Sequence, residues 1–211
     1  MILALESSAT DQSVALADRE GALLGRAAWT AAGGQGGELL PRLLELLDRQ
    51  RATLRDVSAV AVGIGPGSFT GLRVGLALAK GLASGLGCPI IGIPSLDAWL
   101  AAVPDAHAAL TRAGAAEVYA QARDAADPQI VPFSALSAAL RERPVVAPRD
   151  LAVTLDLTRA QPPDEAADAV ARLAAKRMAS GSTDDLARLE PAYLRPPRGL
   201  GDSAPAPITW L

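Results

Sequence analysis

Residues 57–93, VSAVAVGIGPGSFTGLRVGLALAKGLASGLGCPIIGI, decide how this chain folds. VSAVAVG (57–63) is a short, uninterrupted apolar run rich in valine, the pattern of a strand buried on both faces. IGPGSFT (64–70) supplies the loop, residues 71–86 a helix, and PIIGI (89–93) a second buried strand. Parallel neighbours cannot be joined by a tight turn, so a strand, a helix and a strand of these lengths read as a parallel crossover.

Working outward, residues 2–6 (ILALE), 12–18 (QSVALAD) and 22–29 (ALLGRAAW) are apolar runs split by the turn-rich SSATD and DREG, which predicts a three-strand meander. A Gly-rich loop, Gly33 to Gly37, follows. Residues 38–51 then gather Leu39, Leu40, Leu43, Leu44, Leu46 and Leu47 on about half of a helical circumference, with Glu38, Arg42, Glu45, Asp48 and Arg49 opposite. After PIIGI, Ser95 caps a helix through LDAWLAAV. The resulting order β-β-β-α-β-α-β-α predicts an α/β protein whose N-terminal lobe has the ribonuclease H-like fold, the half-unit of the actin-like ATPase superfamily.

The second half predicts a reduced lobe. Residues 108–113 and 116–123 form a hairpin across Gly114, and PVVAP and LAVTLDL read as short strands. Asp164 caps a helix to Ser180, with Ala166, Ala167, Val170, Leu173, Ala174 and Met178 as its apolar stripe and Gly181 as its stop. Beyond Arg195 the chain is rich in Pro and Gly. The expected division is therefore 1–103 for the N-terminal lobe, 104–195 for the second and 196–211 for a flexible tail, whose final ITWL is apolar.

Composition excludes several function classes. Half of the 211 residues are hydrophobic and a fifth charged, which rules out a disordered chain. One cysteine, Cys88, and one histidine, His107, cannot form a disulfide or a zinc cluster, and any Ser-His-Asp or Cys-His hydrolase would have to rely on His107 in an Ala-rich stretch. The net charge is −3, and aromatic residues make up 3%. Neither a basic patch nor a stacking platform marks a nucleic-acid binder, so the protein is expected to hold nucleic acid weakly and without specificity. The start MILALE has no basic leader and no long apolar run follows, which predicts a cytoplasmic protein without membrane contact.

The loop GPGSFTG (65–71) sits where phosphate loops sit, at a helix N-terminus. It fails each known pattern. A nucleophile elbow around Ser68 lacks Gly at 66 and 70, a P-loop lacks Gly-Lys-Ser/Thr, and a dinucleotide fingerprint lacks Gly at 68 or 70. What remains is a tight turn that lets a strand hand over to a closely packed helix, with Ser68 or Thr70 as cap. The first hairpin, Glu6-Ser7-Ser8-Ala9-Thr10-Asp11-Gln12-Ser13, lies where actin-like ATPases hold phosphates, but only four of 19 glycines follow residue 100 and none is paired. A second phosphate clamp is therefore missing, and Glu6 reads as the end of a strand rather than a magnesium ligand.

In residues 71–86, 13 of 16 are apolar or Gly, and Arg73, Lys80 and Ser84 share one narrow wedge. Gly71, Gly75, Ala79 and Ala83 recur at i+4, a strip that admits close approach. Two readings stay open: burial under the chain's own sheet, or contact with a partner's helix.

ILALESS, LLPRLLELL, the stretch AVAVGIGPGSFTGLRVGLALAKGLASGLGCPIIGIPSLDAW and PAYLR together resemble the TsaB (YeaZ) family. The resemblance is dense over residues 1–100 and returns at 191–195. It implies an actin-like fold that has lost catalysis and serves as a scaffold, with no catalytic, cofactor-binding or metal-binding residues of its own. The implied partners are a TsaD-like catalytic subunit, a TsaE-like ATPase joining the complex, tRNA only through that complex, and a second copy when the chain is alone. The implied interface is Leu39, Leu40, Leu43, Leu44, Leu47, Gly71, Leu72, Gly75, Leu76 and Ala79. The family's catalytic paralogue binds metal through H-x-x-x-H, which a chain with one histidine cannot supply. This chain departs from many relatives at Gly33–Gly37, where they carry His-Ser, and at Glu6-Ser7-Ser8, where they carry Asp-Thr-Ser. The alternative reading is an autonomous actin-like small-molecule kinase or ATPase.

Overall fold

A computed structural model describes residues 1–31, 37–136 and 138–194. Residues 33–36 of the expected Gly33–Gly37 loop and the tail, with Arg195 and ITWL, lie outside the described residues. The first half follows the predicted order: β1 (Ile2–Glu6), β2 (Asp11–Ala17), β3 (Leu23–Thr30), α1 (Leu39–Arg49), β4 (Ala59–Gly63), α2 (Phe69–Leu86), β5 (Ile90–Ile93) and α3 (Ser95–Ala102). The sheet order is β3-β2-β1-β4-β5. β1, β2 and β3 pair antiparallel, while β4 pairs parallel with β1 and β5. A meander extended by parallel crossover strands is the ribonuclease H-like, actin-like arrangement.

Side-chain alternation gives this sheet two different faces. Leu3, Leu5, Val14, Leu16, Val60 and Val62 point to one side, where the buried leucines of α1 and the inner face of α2 cover them. Ile2, Ala4, Ala15, Ala17, Ala59 and Ala61 point to the other. A face built mainly of alanine leaves room for a helix to approach closely, and the helix that fills it is α6 (Ala166–Ala179), itself lined by Ala166, Ala167, Ala169, Val170, Ala171 and Ala174. Trp99 of α3, fully buried, fills the remaining space on that side.

The second sheet is built from β6 (Ala108–Arg112), β7 (Glu117–Ala122), β8 (Gln129–Pro132), β9 (Val145–Val146) and β10 (Ala160–Gln161), in the order β10-β9-β6-β7-β8. The short helices α4 (Ala138–Arg141) and α5 (Arg149–Thr154) connect its later strands.

Three expectations need correction here. LAVTLDL is not a strand: its first half is helical, α5, because Leu151 and Leu155 at i+4 are buried whereas Val153, which a strand would place beside them, is 84% exposed. Asp164 does not cap α6. Its carboxylate is held by Arg149, and the α6 amide of Ala167 instead donates to Ser13 Oγ of β2, 3.1 Å away. Ser95 does not cap α3 either, since Pro94 takes the cap position and the Ser95 hydroxyl accepts the Gly65 amide at 3.0 Å. The later part of the chain returns to the first sheet. α6 packs under the first sheet, Asp184 bridges to Ile90, Leu189 enters the core beside α2, and the Ala192 amide donates to Ile64 O, because the alanine face needs a cover that α3 alone is too short to give. No described helix is long and apolar enough to cross a membrane.

Candidate functional site

Four glycines at i+4 spacing, Gly63, Gly67, Gly71 and Gly75, press the central motif onto the first hairpin. A Cβ on Gly63 would overlap Glu6 Oε2; on Gly67 and Gly71, the Ser8 and Ser7 carbonyl oxygens; on Gly75, the Ser7 hydroxyl. The close fit is stitched by hydrogen bonds: the Ser68 amide donates to Ser8 O at 2.6 Å, and Ser7 Oγ to Gly71 O at 2.9 Å. Ser68 also caps α2, its hydroxyl accepting the Gly71 amide at 3.2 Å. The loop thus commits Gly67 and the Ser68 amide to the chain's own hairpin.

Both acids of that hairpin are engaged in the fold. Glu6 is fully buried at the end of β1, and its Oε1 accepts the Ser8 amide at 2.7 Å. Burial pushes its carboxyl above the ordinary 4.5, against the opposing effect of hydrogen bonds from Ser8, Ser95 and Ser7. The folded state therefore binds this proton more tightly than the unfolded chain, and stability falls as pH rises from about 4.5 through the raised value. Glu6→Gln, which cannot ionise, should gain on the wild type in melting temperature over that window. A difference that stays constant from pH 4.5 to 8 would contradict it.

Asp11, 1% exposed at the start of β2, is surrounded by donors. Thr30 Oγ1 and Arg149 Nη1 each reach Oδ1 at 2.6 Å, and the Arg149 amide reaches Oδ2 at 2.7 Å. Arg149 also grips Asp164 through two bonds of 2.8 and 2.6 Å, and the two carboxylates raise its pKa. A guanidinium thus stands against the carboxylate that would face phosphate or metal in an ATPase, and ties the first sheet to α5 and to the entry of α6.

Between the hairpin and the second sheet lies a cleft of about 190 Å³, lined by residues including Ser8, Thr10, Ser68, Thr111, Arg112 and Asp150. Its walls are bridged. Thr10 Oγ1 donates to Asp150 Oδ1 at 2.9 Å, while Arg112 donates to Asp150 Oδ2 at 3.0 Å and to Thr154 Oγ1 at 2.7 Å. Burial opposes the ionisation of Asp150, but Arg112 and Thr10 outweigh it and hold the carboxyl below its ordinary value. His107 is exposed at the head of β6, away from these acids in the hydrogen-bond pattern.

Of the ten residues expected at a partner interface, eight are buried within the chain: Leu39, Leu43 and Leu47 of α1, and Gly71, Leu72, Gly75, Leu76 and Ala79 of α2. The i+4 strip that includes Gly71, Gly75 and Ala79 faces Ser7 and the sheet, so the burial reading of α2 holds for it. Leu40 and Leu44, 40% and 46% exposed, stay outside. The sequence reading missed a second small strip on the opposite side of α2, exposed at Ala77, Gly81 and Gly85, where a Cβ on either glycine meets nothing within 4 Å.

The family model described as "TsaD: tRNA N6-adenosine threonylcarbamoyltransferase" matches residues 37–187, more than half of the chain. The chain is similar to the tRNA threonylcarbamoyladenosine biosynthesis protein TsaB of Escherichia coli (strain K12), with 45% identity over 58 residues, 28% of this chain and 25% of the relative. The TsaB of Haemophilus influenzae is 45% identical over 71 residues, 34% of this chain and 30% of the relative. The chain thus aligns with about a quarter to a third of the length of these curated relatives. In three dimensions it is similar to YeaZ from Pseudomonas aeruginosa, with a TM-score of 0.71 and 26% identity, covering 92% of this chain and 99% of that one. With the meander, the parallel crossover and the glycine-packed hairpin in place, this chain belongs to the TsaD family, and within it to the TsaB (YeaZ) group.

Proposed function

We propose that this chain is a non-catalytic scaffold subunit in the formation of N6-threonylcarbamoyladenosine on tRNA, pairing with a TsaD-like catalytic subunit. A TsaE-like ATPase joins through that complex, tRNA is met only within it, and a second copy of the chain takes the pairing face when the partner is absent. The observation that carries the reading is the fate of Glu6 and Asp11. One is sealed in the core and the other is held by Arg149, so the hairpin that would serve a nucleotide supports the fold instead. The names and family of its relatives supply the pathway. In this reading the exposed strip Ala77, Gly81 and Gly85 of α2 and the exposed Leu40 and Leu44 of α1 form the pairing face, since small residues let a partner helix approach closely.

Binding to the TsaD-like protein of the same organism, measured by titration calorimetry, tests the pairing. Gly81→Trp should abolish or greatly weaken it while leaving the melting temperature unchanged or raised, because replacing a mid-helix glycine recovers up to about 1 kcal/mol. Equal affinity in the folded variant would remove this face from the interface. ATP turnover by the isolated chain that scaled with its concentration would favour the autonomous kinase or ATPase.

A further inference from the structure

The two stretches that carry the family resemblance at either end of the chain, GPGSFTGLR and PAYL, meet in space at the N-terminal end of α2. The Arg73 guanidinium carbon lies 3.8 Å from the centre of the Phe69 ring, and Arg73 Nε donates to Tyr193 Oη at 3.1 Å. The two rings are 5.6 Å apart, and the Ala192 amide bound to Ile64 O fixes the segment that carries Tyr193. A chain with only two Phe and two Tyr places one of each here in exposed positions, with Leu194 exposed beside them.

This arrangement leaves Arg73 oriented and unspent. The ring holds the guanidinium face and Tyr193 holds Nε, while the two Nη atoms have no carboxylate partner among the described residues. Several other arginines are neutralised in place, Arg26 by Glu165 and Asp168, Arg149 by Asp11 and Asp164, and Arg177 by Asp184, while Arg123 and Arg172 are held by backbone carbonyls. An arginine whose plane is already fixed loses little freedom on binding, and its fork of Nη donors matches a carboxylate edge.

We propose that Arg73, held flat by Phe69 and Tyr193, is a preformed clamp for an Asp or Glu side chain of the protein that docks on the exposed face of α2. The proposal rests on the pairing reading above. Arg73 lies one turn before Ala77 on the same exposed side, so the clamp closes one end of that face. Its surroundings select a protein carboxylate over an RNA phosphate. Phe69, Tyr193 and Leu194 are apolar neighbours, the strip beyond is uncharged at Ala77, Gly81 and Gly85, and Lys80 is occupied by Ala187 O at 3.3 Å. A phosphate-tracking surface needs several free cations, whereas the described residues place one arginine among exposed aromatics here, the composition of a protein-interface hot spot.

The test titrates the full chain with the TsaD-like protein of the same organism at low and high salt. Arg73→Gln should weaken binding about ten- to a hundredfold at low salt with an unchanged melting temperature, and should flatten the salt dependence. Tyr193→Phe, which keeps the ring and frees Nε, should lose less, and Arg73→Lys should recover little because an ammonium cannot present the planar fork. Wild-type affinity in Arg73→Gln, alongside loss in Gly81→Trp, overturns the clamp and leaves the pairing standing. Absence of binding by the wild type overturns both. Loss of tRNA retention by Arg73→Gln with unchanged protein affinity assigns the arginine to phosphate instead and overturns the carboxylate clamp.

Discussion

A Gly75→Leu protein is expected to melt well below the wild type, by about 6–12 °C, with partner affinity falling only as the folded fraction falls. The α2 backbone lies directly on the first hairpin: Ser7 Oγ donates to Gly71 O one turn away, and even a Cβ on Gly75 would overlap that hydroxyl. A leucine adds three further carbons at a buried contact between a helix and a strand end, neither of which can yield without breaking the Ser7 and Ser68 bonds. Overpacking costs about 1–3 kcal/mol and sometimes more, and this site belongs at or above the top of that range. Gly81→Leu on the opposite side, where nothing lies within 4 Å, should leave the melting temperature unchanged or raise it. Calorimetric scans of the two variants settle the orientation of α2; the reverse order would mean that Gly81, not Gly75, faces the sheet.

Asp11→Ala is the second large effect, about 2–3 kcal/mol. The substitution removes a buried carboxylate that accepts from Thr30, from the Arg149 amide and from its guanidinium, and leaves those donors to find water or go unpaired. Severing a fully buried pair costs about 3–5 kcal/mol; the Arg149 side chain is 49% exposed and keeps Asp164, which reduces the loss. At about 2–4 °C per kcal/mol, the melting temperature should drop by about 4–12 °C. A double-mutant cycle with Arg149→Ala isolates the link: the second change should cost clearly less in the Asp11→Ala background. Fully additive losses would mean that the contact contributes nothing as a pair.

The local half of this architecture is written in local patterns. Apolar runs of five to eight residues split by SSATD and DREG specify the meander, the six leucines of residues 38–51 specify α1, and the strand, loop and helix of residues 57–86 specify the crossover. Each depends on residues within a turn or a strand pair of one another, so its signal survives in one dimension. The hairpin across Gly114 and the stop at Gly181, where φ is +76°, belong to the same class. LAVTLDL failed because a short apolar run fits either period until burial selects one, and here Leu151 and Leu155 meet the second core while Val153 faces out.

Everything that joins distant parts of the chain was decided by the tertiary structure. α2 carries two strips of small residues on opposite sides, and an all-round apolar helix holds no signal for which side meets the sheet; the hairpin at Ser7 makes that choice. Ser13 caps a helix 154 residues away, and Asp11 meets Arg149 across 138, so no reading of neighbours could have assigned Asp164 to a salt bridge instead of a cap. The sequence by itself determined the elements and the family they resemble, because periodicity and turn chemistry act between near neighbours. The tertiary structure alone decided which carboxylates are spent on the fold and which surface is left exposed, because those outcomes depend on the topology that brings remote residues together.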